Sequence, residues 1–497
     1  MSGDGLGENA QEIELKFAVS PERAEAVWAA FAPADALKSK GKTLVSTYFD
    51  TSDRRLSAAG MALRIRDDGK TKIQTLKGPP EGGFARAEYE QAVAGPGIDL
   101  AVLAETPAFA VLDGAALQPL FTVEVRRRKA VVTQGGSEVE ICLDLGWVEG
   151  GDQREMICEI ELELLRGSPA ALFALGRRLM QRRRPVDLAF ETKSGRGFRL
   201  VDGAKRERAV VKPSMDTATA FTAIGEAALA DIAGACAALD AGITPKGVHD
   251  LRVGLRRLRA ARSTFKAMLA DPESERLAAE LKWLAHALDE MRDLDVLAES
   301  IADADAAFHG VLEGGRLAAR VRLQAVLASP RRRALPLKIA EWLTVGRWRR
   351  MRARDLRRLR ERPIAEFARE ALDRRLSKLS PKKDLAALPP EQRHHERIKI
   401  KKLRYAADAF AALFDAHTKR RKRMTAAFKE AQERLGLLND DAVGRDIAHR
   451  LVGASGNAEA AFAAGSAFAP DPRREAKRLK AAQAAWTEMF ADKPFWR

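Results

Sequence analysis

The sequence predicts an α+β protein in two parts, a closed or strongly curved antiparallel β domain followed by an all-helical domain. Three observations predict this class. Apolar and polar residues alternate with a period of two through most of residues 12–163. From residue 215 onward the chain is rich in Ala, Leu and Arg, with apolar residues at helical spacing. Charge divides in the same place, because residues 1–200 hold 27 Lys and Arg against 29 Asp and Glu, whereas the rest hold 58 against 40.

Glycine and proline separate the segments that alternate with a period of two. These segments are EIELKFAV, ALRIR, KIQTLK, ARAEYEQAV, FTVEVRR, EVEICLDLG and ICEIELEL. Helical patterns interrupt them at 21–31, 99–113 and 169–183. Residues 201–214 are polar without clear periodicity, so we predict a linker there between domains at 11–200 and 215–497.

The helical part contains an internal repeat. The segment HDLRVGLRRLR that begins at His249 returns 145 residues later as HHERIKIKKLR, beginning at His394. Phe265 and Phe410 keep the same offset. Two copies of one helical unit, related by a pseudo-two-fold axis, explain the repeat.

The bulk composition predicts an anionic partner and a reducing compartment. Net charge is +16 and the isoelectric point is about 9.8, which favours binding to anions. Three widely spaced cysteines argue against a disulfide framework. The first residues do not resemble a signal peptide, and no apolar run reaches about 18 residues. We therefore expect a cytoplasmic protein without a membrane span.

Charged residues occupy one face of several predicted strands. Glu12, Glu14 and Lys16 share a face, whereas Ile13 and Leu15 share the other. The same spacing relates Arg64 to Arg66, Arg86 to Glu88 and Glu90, and Glu159 to Glu161 and Glu163. A barrel with charge inside would need divalent cations for the glutamates and phosphates for the basic residues. The alternative is an ordinary antiparallel sheet with a solvated charged face.

These residues, in this order, resemble the CYTH family of triphosphate tunnel enzymes over residues 11–200. The family's E-x-E-x-K signature corresponds to Glu12-Ile-Glu14-Leu-Lys16. Further matching segments are Tyr48-Phe49-Asp50, Leu63-Arg64-Ile-Arg66, Thr75-Leu76-Lys77, Arg86-Ala-Glu88-Tyr-Glu90, Asp144, Glu159-Ile-Glu161 and Lys193.

The CYTH resemblance implies an eight-stranded antiparallel tunnel that binds a triphosphate. The residues implied to hold phosphate oxygens are Lys16, Arg64, Arg66, Lys77, Arg86, Arg126 and Lys193. Those implied to bind Mg²⁺ or Mn²⁺ are Glu12, Glu14, Glu159 and Glu161, and the implied catalytic set is Lys16, Lys77, Glu88, Glu90 and Asp144. Of these, the carboxylates would support a second metal or orient water. Alternation puts Arg126 and Arg128 on one face, and which of the two enters the tunnel stays open.

The implied hydrolysis proceeds without histidine, since all seven histidines lie after residue 200. A metal would offset the charge of the phosphate oxygens. Water oriented by carboxylates would attack in line, and fixed cations would stabilise the leaving phosphate. We hypothesise that Lys77 lies beside the leaving group.

Each helical repeat carries a basic stripe. His249, Arg252, Arg256 and Arg259 fall within an arc of roughly 80° on one helix, with Arg257 beside them. The second stripe consists of His394, Arg397, Lys401 and Arg404, with Lys402 beside them. Two facing stripes would form a linear anion track. The alternatives are a solvated basic face and, for the histidines, a place beside a helix N-cap.

The stripes resemble the CHAD family, and this resemblance spans residues 215–497. The matching text is H-x-x-R-x-x-x-R-R-x-R in the first copy and H-x-x-R-x-x-x-K-K-x-R in the second. It implies two four-helix units that bind inorganic polyphosphate through the basic residues of the stripes. The domain order is similar to that of bacterial tunnel enzymes fused to a CHAD domain.

The leading hypothesis is a metal-dependent inorganic triphosphatase that cleaves tripolyphosphate and binds polyphosphate through its helical domain. The expected partners exclude a specific nucleic acid and a membrane. The alternatives are an adenylate cyclase or thiamine-triphosphatase type of enzyme, a non-catalytic polyphosphate-binding protein, and a non-specific nucleic-acid binder. The preferred metal and the oligomeric state stay open.

Overall fold

The computed structural model describes residues 10–82, 85–181, 186–203, 211–301, 306–469 and 471–497. The chain forms two compact units. The first takes the described residues of Met1–Ala209 together with Arg333–Gly346, and the second takes those of Val210–Arg332 and Arg347–Arg497. The predicted linker falls partly on 204–210, outside the described residues, and the predicted domain boundaries stay a prediction.

The first unit is built mainly of strands. They are β1 Ala10–Val19, β2 Lys42–Thr51, β3 Ala62–Asp67, β4 Lys72–Gly82, β5 Ala85–Val93, β6 Leu117–Gln134, β7 Ser137–Gly150, β8 Gln153–Arg166 and β9 Val186–Ala189. The helices up to residue 203 are α1 Pro21–Phe31, α2 Ala34–Leu37, α3 Arg55–Ala58, α4 Leu100–Ala104, α5 Ala108–Leu112, α6 Ala170–Gln181 and α7 Lys193–Asp202.

Eight strands close into an antiparallel barrel, which confirms the predicted fold class. Their order is β5-β4-β3-β2-β6-β7-β8-β1, and β1 returns to β5. The register places Lys16 opposite Glu161, and Asp144 opposite Glu159. The short strand β9 pairs with the end of β1 beside the barrel.

The outer face of the barrel is apolar because helices cover it. On β1, Leu15 and Phe17 are fully buried. Gly176 of α6 lies so close to Phe17 that an added Cβ would be 2.9 Å from the ring. Burial of each large apolar side chain contributes roughly 1.5–3 kcal/mol, so the alternation in the sequence fixes which face of each strand points outward.

The inner face is charged over only part of its length. The other part is a core cluster that includes Tyr48, Phe121, Val123 and Val125. Phe198 of α7 packs edge-on against Phe121, at 5.1 Å between ring centroids. Helix α7 therefore covers this apolar part of the interior and leaves a charged cavity in the rest.

The second unit is helical among its described residues, as predicted. The helices from residue 217 onward are α8 Thr217–Ala241, α9 Pro245–Thr264, α10 Pro272–Ser300, α11 Ala306–Ala328, α12 Pro330–Val345, α13 Arg354–Glu361, α14 Ile364–Leu376, α15 Pro390–Ala409, α16 Thr418–Ser455, α17 Ala458–Ala467 and α18 Pro472–Glu488. Most of α12, from Arg333 onward, belongs to the first unit. Short 3₁₀ helices lie at Lys266–Met268, Arg347–Arg349 and Ala411–His417.

Helices α9 and α15 carry the sequence repeat. Each begins with proline in its first turn, where the missing N–H removes no helical hydrogen bond. Each ends at a buried phenylalanine, and the rings of Phe265 and Phe410 meet at 5.9 Å. The equivalent ends of the two repeats therefore share one core.

Helix α8 is the described helix that has the length and mean hydropathy of a membrane span. Half of this stretch is buried within the protein, including Phe221, Leu229 and Ile232. A core helix of a globular domain meets the same criteria, and these contacts are those of a core helix.

Candidate functional site

A cavity of about 580 Å³ lies within the barrel. Its basic lining residues are Lys16, Lys42, Arg64, Arg66, Lys77, Arg86, Arg127, Lys129 and Lys193. Its acidic lining residues are Glu12, Glu14, Asp68, Glu88, Glu90, Glu140, Glu161 and Glu163. Opposite charges thus share one inner surface, whereas the alternative of a solvated outer face does not apply to these strands.

Three carboxylates form a buried cluster, and one of them, Glu161, lines the cavity. Oxygen atoms of Asp144, Glu159 and Glu161 lie within 4.8 Å of one another. Asp144 and Glu159 have no exposed surface, and Glu161 is 8% exposed. Adjacent strands β7 and β8 bring them together, because residues that alternate on one face meet across the register.

Basic side chains neutralise this cluster. Lys193 Nζ lies 2.7 Å from Asp144 Oδ2 and 2.8 Å from Glu161 Oε1, and it also donates to Glu159. Arg127 forms two parallel bonds to Asp144, at 2.7 and 2.6 Å. Burial would raise the pKa of Glu161, but Lys16, Lys193 and Arg127 hold that pKa well below its ordinary value.

Burial would likewise lower the pKa of Lys193, yet Asp144, Glu159 and Glu161 keep it well above its ordinary value. The pKa of Asp144 is lowered, since Lys193 and Arg127 outweigh its burial. Asp144, Glu161 and Lys193 are therefore ionised at neutral pH.

A second charged group lines another part of the cavity. Lys77 Nζ lies 2.6 Å from Glu12 Oε2 and 3.4 Å from Glu88 Oε1. Burial opposes the charge on Lys77, but the neighbouring glutamates Glu14, Glu12 and Glu88 raise its pKa. Lys77 is therefore a protonated donor facing the cavity.

Glu90 joins the two arginines of β3 to this group. It accepts a hydrogen bond from Thr75 Oγ1 at 2.8 Å and lies 3.3 Å from Arg66 and 3.9 Å from Arg64. These longer ion pairs leave the guanidinium groups with donors that can turn to a phosphate.

Three glutamates adjoin on β1, β8 and β7. Glu163 stands opposite Glu14 on one side and Glu140 on the other. Burial, together with the charges of Glu12, Glu14 and Glu140, raises the pKa of Glu163 to about 7. This side of the cavity therefore carries an excess of carboxylate.

The expectation that Arg126 or Arg128 enters the tunnel differs from the structure. Arg126 is exposed, and Arg128 bonds to Glu25 of α1 outside the barrel. Arg127 lines the cavity instead. The physical reason is that the apolar residues of β6 point inward, against α7, so the arginine that shares their face is Arg127.

The predicted metal ligands are regrouped by the structure. Glu159 and Glu161 lie together, but Asp144 completes their cluster rather than Glu12 or Glu14. Glu12 bonds to Lys77. Glu14 approaches Glu161 only through Lys16, whose Nζ lies 2.7 Å from both.

Eight other predicted residues of the tunnel line the cavity, and three further basic residues line it with them. Lys16, Arg64, Arg66, Lys77, Arg86, Glu88, Glu90 and Lys193 all line the cavity. Sequence reasoning missed Arg127, Lys42 and Lys129. Val123 and Val125 share the parity of Arg127 and face inward, but the sequence carries no signal of this, because apolar residues on the other strands predict an outward face.

The carboxylate cluster fits a hard divalent cation. Mg²⁺ and Mn²⁺ take oxygen ligands, chiefly carboxylates. Asp144, Glu159 and Glu161 supply three carboxylates close enough to share one ion. These three residues would hold the metal.

Basic residues of α9 and α15 lie close together in the helical unit. Lys401 lies among Arg256, Arg397, Arg252 and Arg259. Burial and these guanidinium groups, led by Arg256, lower the pKa of Lys401 to about 8. Positive charges therefore lie next to one another here instead of beside carboxylates. We call Arg252, Arg256, Arg259, Arg397, Lys401 and Arg404 the basic groove.

Few carboxylates of the described residues reach the basic groove. Arg252 pairs with Asp289, and Arg404 donates to the amide oxygen of Gln432 at 3.1 Å. The buried Nε atoms of Arg256 and Arg397 lack a hydrogen-bond partner among the described residues. The side chains of 439–442 are outside the described part.

Four predicted residues are outside this definition of the groove. Arg257 pairs with Asp231 of α8, and Lys402 is exposed. His249 lies near Arg256 and Arg292, and burial with these charges lowers its pKa. The ring of His394 lies beside that of His395, at 6.5 Å between centroids.

Comparison with protein families identifies both domains. The CYTH domain model matches residues 10–209, and the CHAD domain model matches residues 223–449. These two matches fall on the barrel unit and on the helical part of the chain.

The chain is also similar to several individual proteins. An inorganic triphosphatase of Haemophilus influenzae is 32% identical over 175 residues, which are 33% of this chain and 47% of that protein. The match thus spans about half of that relative's length. The solved CHAD domain of the plant Ricinus communis is 26% identical, with a TM-score of 0.46 over 58% of this chain and 97% of that one. PptA from Streptomyces chartreusis is 18% identical, with a TM-score of 0.36 over 56% of this chain and 100% of that one. The chain belongs to the proteins that carry a CYTH domain followed by a CHAD domain.

Proposed function

We propose that the CYTH domain is a metal-dependent inorganic triphosphatase that hydrolyses tripolyphosphate to pyrophosphate and phosphate. One observation carries the proposal. Basic side chains line a single cavity inside one closed barrel, and the buried three-carboxylate cluster reaches the same cavity through Glu161. A phosphate chain and a divalent cation are the two ligands that such a surface needs for charge balance.

The arginines and lysines of the cavity are proposed to hold the phosphate chain. Arg64 and Arg66 of β3 and Arg127 of β6 present guanidinium groups to the cavity from strands that are separated by β2. Guanidinium forks bind phosphate oxygens through two bonds at once. Lys16 adds an ammonium and Arg86 a further guanidinium along the same surface.

The chemistry is proposed to combine metal, water and a fixed cation. A bound Mg²⁺ or Mn²⁺ would withdraw charge from the phosphate oxygens. Glu88 and Glu90 face the cavity, where they can orient an attacking water. Lys77, held protonated by its glutamate neighbours, would stabilise the charge that develops on the leaving phosphate.

The lining favours an inorganic triphosphate over a nucleotide or thiamine ester. Among the lining residues, Tyr48 is the aromatic one, and its ring already stacks on Phe121 at 4.7 Å. A base or thiazole ring gains affinity from an open aromatic face, which this surface does not offer. The adenylate cyclase and thiamine-triphosphatase alternatives therefore lack a recognition element in the described cavity.

A phosphate-release panel tests this proposal. Purified protein is given tripolyphosphate, ATP or thiamine triphosphate, each with Mg²⁺, Mn²⁺ or a chelator. We expect fast, metal-dependent release from tripolyphosphate. Faster release from either organic triphosphate would contradict the substrate assignment. No metal-stimulated release from any of the three would contradict the enzymatic assignment and favour a non-catalytic receptor.

We further propose that the CHAD domain binds inorganic polyphosphate in the basic groove. The support is its gathered cations with few described carboxylates. Competition between polyphosphate and duplex DNA at physiological salt tests this. Polyphosphate should displace DNA from the protein, whereas preferential retention of DNA would indicate a nucleic-acid binder.

The cytoplasm is the proposed location, and the three free cysteines agree with it.

A further inference from the structure

We propose that Lys193 is an internal counter-ion that occupies the metal position until a triphosphate arrives, so that metal and triphosphate bind cooperatively. The inference rests on the proposed function, since it takes the cavity to bind both ligands. It assigns Lys193 a role beyond contact with phosphate, namely control over when the carboxylate cluster is free to bind a cation.

The first argument is geometric. The Lys193 ammonium contacts all three carboxylates of the cluster, at 2.7 Å from Asp144 and 2.8 Å from Glu161, with Glu159 as its third partner. An ammonium has three N–H donors, and each is used. Because its Nζ contacts all three carboxylates, its charge lies where a metal shared by them would lie. Lys193 is also buried, with 9% of its surface exposed.

The second argument is charge balance. Lys193, Arg127 and Lys16 all reach Glu161, and Arg196 donates to Glu159 at 3.2 Å. Three carboxylates therefore already have four basic partners. A dication added to this set would leave uncompensated positive charge in a buried site, which is strongly unfavourable.

The third argument is that the Lys193 ammonium can reach other acceptors in the cavity. It lies at the start of α7, and both of its neighbours, Thr192 and Ser194, line the cavity. The helix itself is anchored through Phe198, but a lysine stem is flexible. Phosphate oxygens in the cavity would replace the carboxylates as acceptors for Lys193.

The two ligands would then exchange partners with Lys193. The triphosphate takes the ammonium, and the carboxylates that it leaves take the metal. By linkage, each ligand raises the affinity of the other by the same factor. In the absence of triphosphate the metal should bind weakly.

Mn²⁺ titration followed by electron paramagnetic resonance, without any phosphate, tests this proposal. Lys193→Met keeps an unbranched side chain, shorter by one atom, and removes its charge. We expect this variant to bind Mn²⁺ at least about tenfold more tightly than the wild type. Lys129→Met is the matched control, because it removes a cavity cation that bonds to Glu140 and not to the cluster. Its Mn²⁺ affinity should equal that of the wild type.

Unchanged Mn²⁺ affinity in folded Lys193→Met protein would overturn the proposal. If that variant does not fold, Lys193→Gln, which keeps a hydrogen-bonding end group and removes the charge, should tighten Mn²⁺ binding in the same way, so unchanged affinity there would be equally contradictory. The titration requires no turnover. Failure of the triphosphatase assignment would appear in phosphate release, and failure of the counter-ion role would appear in Mn²⁺ affinity.

Discussion

The barrel cavity and the basic groove both gather cations, but they neutralise them differently. In the cavity, each lysine and arginine around the carboxylate cluster has an acidic partner, as Lys193 and Arg127 show. In the groove, Lys401 lies among arginines, and the described residues provide few acids. Pairing suits a site that must also bind a metal. Unpaired positive charge suits a surface that binds a polyanion, although its cations repel one another while no anion is bound.

The largest expected effect comes from a cluster carboxylate. Glu161→Gln removes a ligand of the proposed metal and leaves Lys16, Lys193 and Arg127 with one partner fewer. Phosphate release from tripolyphosphate should fall at least about 1000-fold, and Tm should also fall because buried cations lose a partner. Glu149→Gln, on an exposed ion pair with Arg154 of the same unit, should change neither. A Glu161→Gln enzyme with wild-type turnover would contradict a catalytic cluster.

A smaller loss is expected from Lys77→Ala. This change removes the protonated donor proposed to act on the leaving phosphate, so kcat should fall about 100-fold. Lys72→Ala, on the same strand but paired with Asp67, is the matched control. Steady-state kinetics of tripolyphosphate hydrolysis measures both. Turnover that survives the loss of Lys77 in folded protein would rule out this role.

Removal of charge from the basic groove should weaken ligand binding without lowering thermal stability, unlike removal of charge from the carboxylate cluster. The double change Arg256→Ala with Arg397→Ala should weaken polyphosphate binding about 30-fold. Thermal stability should not fall, because the change relieves repulsion around Lys401. Binding is measured by calorimetry and stability by thermal unfolding. Arg257→Ala, whose partner is Asp231, should leave polyphosphate affinity nearly unchanged, and equal losses from both changes would dismiss a specific groove.

The smallest expected effect is on pH dependence. The pKa of Lys401 is about 8 in the fold against an ordinary 10.5, so the unfolded chain binds more protons between these values. The helical unit should therefore gain stability as pH rises from about 8 to 10.

Polyphosphate would favour protonated Lys401, so binding near pH 8.5 should take up a proton. Affinity should fall a few-fold, roughly three- to tenfold, between pH 7 and pH 9. Calorimetry in buffers of different ionisation enthalpy measures the uptake, and Lys401→Met should abolish it. Equal uptake by that variant would assign the proton to another group.

Much of the barrel could be predicted because its strands have buried apolar residues on one face and charged residues on the other. The spacing of Glu12, Glu14 and Lys16 was enough to place them on one inner surface. The same rule gave the wrong parity in β6, where three consecutive arginines carry no alternation. There the apolar residues Val123 and Val125 face inward because α7 covers part of the interior, and only the assembled fold shows that contact.

The grouping of carboxylates was also beyond sequence reasoning. Asp144 joins Glu159 and Glu161 because of the register between β7 and β8, and spacing along one strand contains no information on register. In the helical unit the repeat predicted which residues approach one another, since α9 and α15 are its two copies. It did not predict that Arg257 would turn away to Asp231.

The central claim is that a phosphate chain and a divalent cation meet inside the barrel. A crystal grown with tripolyphosphate and Mn²⁺, with anomalous data at the manganese edge, tests it most directly. The account predicts a manganese peak at Asp144, Glu159 and Glu161, with phosphate density against Arg64, Arg66 and Arg127. Manganese or phosphate bound only outside the barrel, with the cavity side chains unchanged, would contradict it.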